Sequence, residues 1–250
     1  MSVAPNPCII VTGASRGIGA AIAFALAREG YRVGCLSRSG AAPKGDGVDA
    51  SVSHRWMMAR CDVTDAASLK QAFAGVAGQG VTLVGLVNNA GVHMEGPSKE
   101  FALAQFNEVM STNATSVLLG SQAIYPYLEA NHGGLIVNIG SFFDKLGVKR
   151  NLAYCASKAA VAAMTRCLAV EWASKHIRVL NVAPGYIQTD LNKVAMSAGP
   201  LRAYLEKRIP AGEPGTAMEV GELVAGLYKM ASPFLTGETI YFDGAQGIAH

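Results

Sequence analysis

The chain has 250 residues, half of them hydrophobic and 16% charged, with 28 glycines; this is ample material for one large core and excludes a disordered chain. Its formal charge of +3 comes from 21 basic and 18 acidic residues spread along the sequence, with no Lys/Arg block to serve as a nucleic-acid-binding arm. The longest nearly uncharged apolar stretch, Gly17 to Ala27, is far short of the roughly 20 residues that cross a bilayer, and Met1 to Pro7 lacks the basic start and apolar core of a signal peptide. No nucleic-acid partner, no membrane partner and a cytoplasmic location are therefore expected.

In chain order, CIIVT at 8–12, GIGAAIAFALARE at 17–29 and YRVGCLS at 31–37 read as a βαβ unit. A strand near 56–61, a helix near 65–77, the run VTLVGLV at 81–87, a long helical stretch about 101–130 and LIVNIG at 135–140 continue the alternation. A helix at 152–174, IRVLNVA at 177–183, a helix near 218–230 and ETIYFD at 238–243 complete it. The strands are continuous apolar runs, so helices must cover both faces, and the expected fold is α/β: a single-domain, doubly wound parallel sheet of about seven strands. Two segments break the rhythm. Residues 39–54 are polar and Gly-rich, where a crossover helix would be short or irregular. Residues 184–215 hold four prolines and room for a helix, and their length predicts a mobile lid beside a ligand.

The five cysteines (Cys8, Cys35, Cys61, Cys155, Cys167) form no CxxC pair and are expected to be reduced core thiols. The five histidines are scattered, none with a ligand partner three or four positions on, so no metal is expected.

The run Thr12-Gly13-Ala14-Ser15-Arg16-Gly17-Ile18-Gly19 stands where the first strand hands over to the first helix. Glycines there let the backbone turn tightly and approach a pyrophosphate, while the helix N-terminus offers unpaired N–H groups to the anion. This G-x-x-x-G-x-G pattern after a Thr resembles the short-chain dehydrogenase/reductase family, and the resemblance extends over essentially the whole chain. Asp62-Val63 follows the third strand, where the family surrounds the adenine. Asn88-Asn89-Ala90-Gly91 closes the fourth as its NNAG motif, and Asn113 takes the place of the family's helix asparagine, whose backbone distortion holds a proton-relay water. Ser141 follows the fifth strand, with Tyr154 thirteen positions on and Lys158 at Tyr + 4. Pro184-Gly185 follows the sixth, with Ile187 and Thr189 where the family contacts the nicotinamide carboxamide. Extended members of the family carry a different glycine pattern and more residues, and its divergent enoyl reductases space Tyr and Lys more widely; neither matches.

The resemblance implies a nicotinamide cofactor, and charge chooses between the two forms. NAD-users place a carboxylate at the end of the second strand; here the position is Ser37, and Arg38 with Arg16 could clamp a 2′-phosphate, so NADP(H) is expected. In the same reading Tyr154 is the general acid toward a carbonyl oxygen and Lys158, one helical turn on, lowers its pKa. Ser141 orients the oxygen and Asn113 positions the relay water. The pocket is expected around His93, Phe142, Phe143, Tyr186 and Leu191; a catalytic role for His93 is the less favoured alternative, because Ser141, Tyr154 and Lys158 already account for the proton.

Within the family the chain is most similar to the 3-oxoacyl-(acyl-carrier-protein) reductases and related carbonyl reductases, through TGASRGIG, PGYIQT at 184–189, RIPAGEPG at 208–215 and the ending LTGETIYFDGAQ. The expected substrate is a ketone, most of all a 3-oxoacyl thioester or similar β-keto compound, with small free ketones or ketoesters as the alternative. An acyl carrier protein partner is possible, but its basic docking surface is partly absent: Glu129 and His132 stand where basic residues are expected, and Lys175 and Arg178 alone remain. A cofactor-binding sensor without turnover is the non-enzymatic alternative, against which the intact Ser141, Tyr154 and Lys158 argue. The resemblance implies a homotetramer.

Overall fold

The computed structural model describes residues 5–190 and 192–249. The first third follows the expected rhythm: β1 (Pro7–Thr12), α1 (Gly17–Arg28), β2 (Arg32–Ser37), β3 (Trp56–Arg60), α2 (Ala66–Ala77) and β4 (Thr82–Asn88). Next come α3 (Leu103–Met110), α4 (Ser116–Ala130), β5 (Gly134–Ile139), α5 (Leu152–Trp172) and β6 (Ile177–Pro184). The last third holds β7 (Ile187–Gln188), α6 (Lys193–Ser197), α7 (Gly199–Arg208), β8 (Gly215–Thr216), α8 (Ala217–Lys229) and β9 (Thr239–Phe242). The crossover between β2 and β3 carries only a 3-10 turn, Ala50–Arg55, in keeping with its polar, Gly-rich sequence. The stretch expected as one long helix is split into α3 and α4 by a π turn over Ser111–Thr115. Residues 184–215 contain two short helices and a two-strand ribbon, β7 with β8, where one helix was expected.

Seven strands form one parallel sheet in the order β3-β2-β1-β4-β5-β6-β9. Successive side chains of a strand point to opposite faces, and each strand therefore feeds two cores. Ile9 and Val11 of β1 join Ile22, Leu26 and Val224 beneath α1 and α8, whereas Cys8 and Ile10 join Phe73, Ile124 and Trp172 beneath α2, α4 and α5. Both faces being covered, the central strands read as unbroken apolar runs. Cys8, Cys35 and Cys61 are buried thiols, but Cys155 is only partly buried and Cys167 is exposed, which corrects the expectation for those two.

The chain builds outward from β1 to β2 and β3, then returns to place β4 on the other side of β1. In an open parallel sheet this reversal leaves a crevice beyond the carboxyl ends of the two strands, where ligands bind. The glycine-rich turn lies at one of those ends and the NNAG motif at the other. No helix among the described residues is long and apolar enough to cross a membrane, and no group of three metal-ligating side chains is present among them.

Candidate active site

Because β1 and β4 are neighbours, the turn after one is braced by the motif after the other. Thr12 Oγ1 accepts from the backbone N–H groups of Asn89 (3.0 Å) and Ala90 (3.1 Å), and Asn89 Nδ2 donates to the carbonyls of Thr12 (2.9 Å) and Gly13 (3.2 Å). Gly13 has φ +67°, and a Cβ on it would stand 2.9 Å from Ala90 Cα. A Cβ on Gly19 would stand 2.3 Å from the Gly13 carbonyl oxygen and 2.4 Å from Asn89 Nδ2. These two glycines are thus demanded by the protein's own packing; the sequence alone had assigned that room to a ligand.

The start of α1 remains receptive to an anion. Its N-cap, Arg16, makes no side-chain capping bond, and the first turn contains no acidic residue. The opening N–H groups and the positive end of the helix dipole therefore face the crevice unmet by Ser15, Arg16 or Ile18 side chains.

Beyond β2, parallel register sets Ser37 opposite Arg60. Ser37 Oγ accepts from Gly40 N (3.0 Å) and lies 3.3 Å from Ser39 Oγ. Arg60 Nε donates to the Arg38 carbonyl (3.3 Å), and its stem crosses Gly40, where φ is +68° and a Cβ would be 2.8 Å from Arg60 Cγ. Arg16, Arg38 and Arg60 are exposed and form no ion pair among the described residues. The end of β2 thus offers hydroxyls and guanidinium groups and no carboxylate, a chemistry suited to a phosphate. Asp62 is exposed; its Oδ1 accepts from Thr64 Oγ1 (2.7 Å) and Thr64 N (2.9 Å), and these bonds, with a smaller contribution from Arg38, hold its carboxyl below the usual range. Val63 packs at the margin of the core.

On the other side of the crevice, Ser141 stands two residues beyond β5, and its Oγ accepts from Phe143 N (3.2 Å) at the start of a 3-10 turn. Tyr154 and Lys158 lie one turn apart on α5. Lys158 is 6% exposed; its Nζ donates to the Ile139 carbonyl (2.7 Å) and stands 5.6 Å from the centre of the Tyr154 ring. Burial lowers the Lys158 pKa to about 8. Burial also raises the Tyr154 phenol, against an opposing hydrogen bond with Ser141, so the expected lowering by Lys158 is not found. The ammonium is itself disfavoured by its surroundings, and its hydrogen bond goes to a backbone carbonyl.

Asn113 is 1% exposed within the π turn. Its Oδ1 accepts from Val92 N (2.8 Å), and its Nδ2 donates to the Val92 carbonyl (2.9 Å) and to Ser157 Oγ (3.1 Å). The side chain ties the segment after Gly91 to α5, one residue before Lys158. A π turn rewires the local backbone hydrogen bonds and is frequent at functional sites.

Rings surround Tyr154. Its centroid is 4.9 Å from His93 and 6.1 Å from Phe143, both near perpendicular, and Tyr186 stands 5.6 Å from Phe142 and 6.3 Å from Phe143. Phe142 is buried behind this wall, and Tyr186 also packs on Met196, Leu205 and Ile209. Leu191 lies outside the described residues. Gly185, after Pro184, donates to the Phe242 carbonyl (2.9 Å), and Ile187 is buried in the two-strand ribbon. Thr189 reaches back to the glycine turn, its Cγ2 3.7 Å from where a Gly17 Cβ would stand. A cavity of about 290 Å³ between Gly17, Asp46, Val48, Thr189, Lys193 and Met218 adjoins the glycine turn and includes none of Ser141, Tyr154 or Lys158.

Two residues at this site went unnoticed in the sequence. Arg60 is identified only by strand register. Asn151, which precedes α5 and binds His93, carried a local signal as an asparagine at a helix start.

A family model described as enoyl-(acyl carrier protein) reductase matches residues 13–245. The D-threitol dehydrogenase of Mycolicibacterium smegmatis is 34% identical over 247 residues, covering 96% of this chain and 92% of its own. The 3-oxoacyl-(acyl-carrier-protein) reductase FabG of Escherichia coli is 33% identical over 237 residues, with 94% and 95% covered. Among solved structures, a gluconate 5-dehydrogenase from Burkholderia cenocepacia in complex with NADP and tartrate aligns with a TM-score of 0.87 at 28% identity, covering 99% of this chain and 97% of that one. With the glycine turn, the NNAG brace and the Ser141, Tyr154 and Lys158 cluster in the places described, the chain belongs to the short-chain dehydrogenase/reductase family and is an oxidoreductase.

Proposed function

We propose that the protein reduces a ketone to a secondary alcohol with NADPH, and that its substrate is a 3-oxoacyl thioester or a similar β-keto compound. The observation that carries this reading is the phenol of Tyr154 between the Ser141 hydroxyl and an aromatic wall, above the buried Lys158. NADP(H) is supported by the open start of α1, by the absence of a carboxylate at Ser37 and by the arginines around it. It is also the cofactor in the gluconate 5-dehydrogenase complex.

NADPH supplies the hydride. Tyr154 donates its Oη proton to the carbonyl oxygen as negative charge develops there, and Ser141 Oγ donates to the same oxygen and orients it. A phenol raised by burial is protonated at neutral pH, as an acid must be before it acts. Lys158, its Nζ 5.6 Å from the centre of the Tyr154 ring, holds a proton on the same side of the crevice, and Asn113 keeps the π turn against α5. Asp62 and Val63 would hold the cofactor at its adenine, Asn89, Ala90 and Gly91 would bind it beside the glycine turn, and Pro184, Gly185, Ile187 and Thr189 would hold its nicotinamide. Residues 1–250 act as one domain, with 184–215 as its lid, assembled as a homotetramer.

A second reading, reduction of small free ketones or ketoesters, is favoured by the face where a carrier protein would dock. Lys175 is paired with Glu129 at 2.9 Å, and Arg178 is turned inward, donating to the carbonyls of Leu227 (3.5 Å) and Met230 (3.1 Å). Neither is left to attract an acidic carrier. The test is kcat/KM for carrier-bound and small free β-keto substrates over a salt series, because electrostatic docking fades with ionic strength. Activity on both, with a shallow salt dependence, is expected. A hundredfold preference for the carrier-bound substrate that collapses at high salt would restore a dedicated carrier-protein enzyme, and no turnover of any β-keto compound would overturn the substrate class.

A further inference from the structure

We propose that His93, held by Asn151, is a positioning residue that aims the phenol of Tyr154; the proposal rests on the reading of Tyr154 as the acid. His93 Nε2 and Asn151 Oδ1 are 2.5 Å apart, and the His93 ring meets Tyr154 at 4.9 Å and 79°. The hydrogen-bond pattern defines which atom donates. Asn151 Nδ2 donates to the Lys149 carbonyl (2.9 Å), which can only accept, so Oδ1 is the atom turned to His93 and Nε2 carries the proton between them.

The anchor is firm where the imidazole is not. Asn151 is 7% exposed, and its carbonyl accepts from Cys155 N (2.9 Å) in the first turn of α5, the turn that carries Tyr154. His93 is exposed on the segment after the NNAG motif. Without Asn151 its ring would be free to swing into solvent, and among the described residues Tyr154 would keep only Phe143 as a near-perpendicular ring neighbour. The same two segments are joined again nearby, where Gly96 N donates to the Arg150 carbonyl (2.9 Å). Arg150 makes that bond with φ +66°, a left-handed conformation that costs a residue with a side chain and that the surrounding structure must sustain. The Glu95–Arg150 pair beside it, at 3.9 Å and half exposed, adds little.

A phenol that protonates a carbonyl must hold its oxygen within hydrogen-bond reach and in line, and a displacement of about 1 Å can reduce the rate on the order of 100-fold. An edge-to-face contact restrains the ring without competing for its hydroxyl, which is free to bond Ser141 and the substrate. His93 touches the ring and Asn151 touches His93, so the two act in series.

The experiment measures kcat, KM, NADPH affinity by fluorescence titration and Tm for His93→Ala, Asn151→Ala, the double variant and His93→Phe, with Tyr154→Phe as reference. Expected are losses in kcat of about 10-fold or more for each alanine variant, with KM and NADPH affinity within about threefold. The double variant should be no worse than the poorer single one, because residues acting in series are non-additive. His93→Phe, which restores an aromatic ring, should recover at least part of the loss. The proposal is overturned if His93→Ala keeps kcat within twofold of the parent, if the two losses multiply, or if kcat falls only in step with KM, NADPH affinity and Tm. It is overturned as well if His93→Phe is no better than His93→Ala. Should Asn151→Ala not fold, His93→Ala against His93→Phe decides alone. An active Tyr154→Phe enzyme would instead refute the reading of Tyr154 as acid, a result separable from any of these.

Discussion

The two sides of the crevice are held by different means. At the end of β1 four hydrogen bonds join Thr12 and Gly13 to Asn89 and Ala90, and glycines admit the close approach. Across the crevice Tyr154 is restrained by near-perpendicular contact with two rings and by its position on α5. A network that ties two side chains to backbone groups has one geometry and little tolerance, so damage there is felt as stability and cofactor affinity. A side chain restrained by a few contacts can be removed without disturbing the fold, and its loss is felt as rate.

The largest effect is expected on the second side. Tyr154→Phe should lower kcat by about 10²–10⁴, the usual worth of a general acid, while Tm and NADPH affinity stay near those of the parent. Retention of more than a tenth of kcat would remove Tyr154 from the chemistry. On the first side, Arg38→Asp should weaken NADPH by about 10–100-fold, the equivalent of a lost hydrogen bond to a charged group of about 1.5–3 kcal/mol, and NADH much less. Equal losses for both cofactors, measured by titration, would refute the charge argument made for Ser37, Arg38 and Arg60.

Gly19→Ala sharpens the contrast. Its Cβ would fall inside contact distance of Gly13 and Asn89, and such overpacking costs about 1–3 kcal/mol. Thermal unfolding should show the loss, together with weaker NADPH binding and a kcat that recovers at saturating cofactor. A kcat that fell while Tm held would mean that the two sides are not separable.

Lys158 tests the contrast by pH. With a pKa of about 8 against an ordinary 10.5, it is protonated in the folded protein below about pH 8 and loses the proton as pH rises through that value. Reduction needs the protonated form, so kcat should be level below pH 8 and fall above it by roughly tenfold per unit at most. Stability moves the other way: between pH 8 and 10.5 the unfolded chain binds a proton that the folded chain has released, so this group's contribution rises with pH. A pH–rate profile beside denaturant unfolding at the same pH values checks both signs, and a kcat that rose above pH 8 would exclude Lys158 from the protonated machinery.

Most of the sheet was legible because its signals are local. Continuous apolar strands, a glycine turn at a strand end and an i, i+4 Tyr–Lys pair each need only neighbours in sequence. Periodicity alone ran one helix through Ser111–Thr115, and the family resemblance marked a distortion at Asn113; the contacts of Asn113 with Val92 and Ser157 that hold the π turn were not legible. The fate of the basic pair was hidden too: Lys175 meets Glu129 and Arg178 turns toward α8 only once β5, β6 and their helices are packed.

The sequence by itself determined the α/β alternation and the family, and it singled out Ser141, Tyr154 and Lys158 as the proposed catalytic set, because those features are spacings along one strand end or one helix face. Tertiary structure alone decided that Arg60 lies beside Ser37, that Gly13 and Gly19 make room for Asn89, that Lys158 turns to the Ile139 carbonyl, and that His93 and Asn151 meet at Tyr154. The physical reason is shared: each of these contacts joins segments brought together by strand register and helix packing, and the electrostatic consequences follow from burial, which exists only in the folded chain.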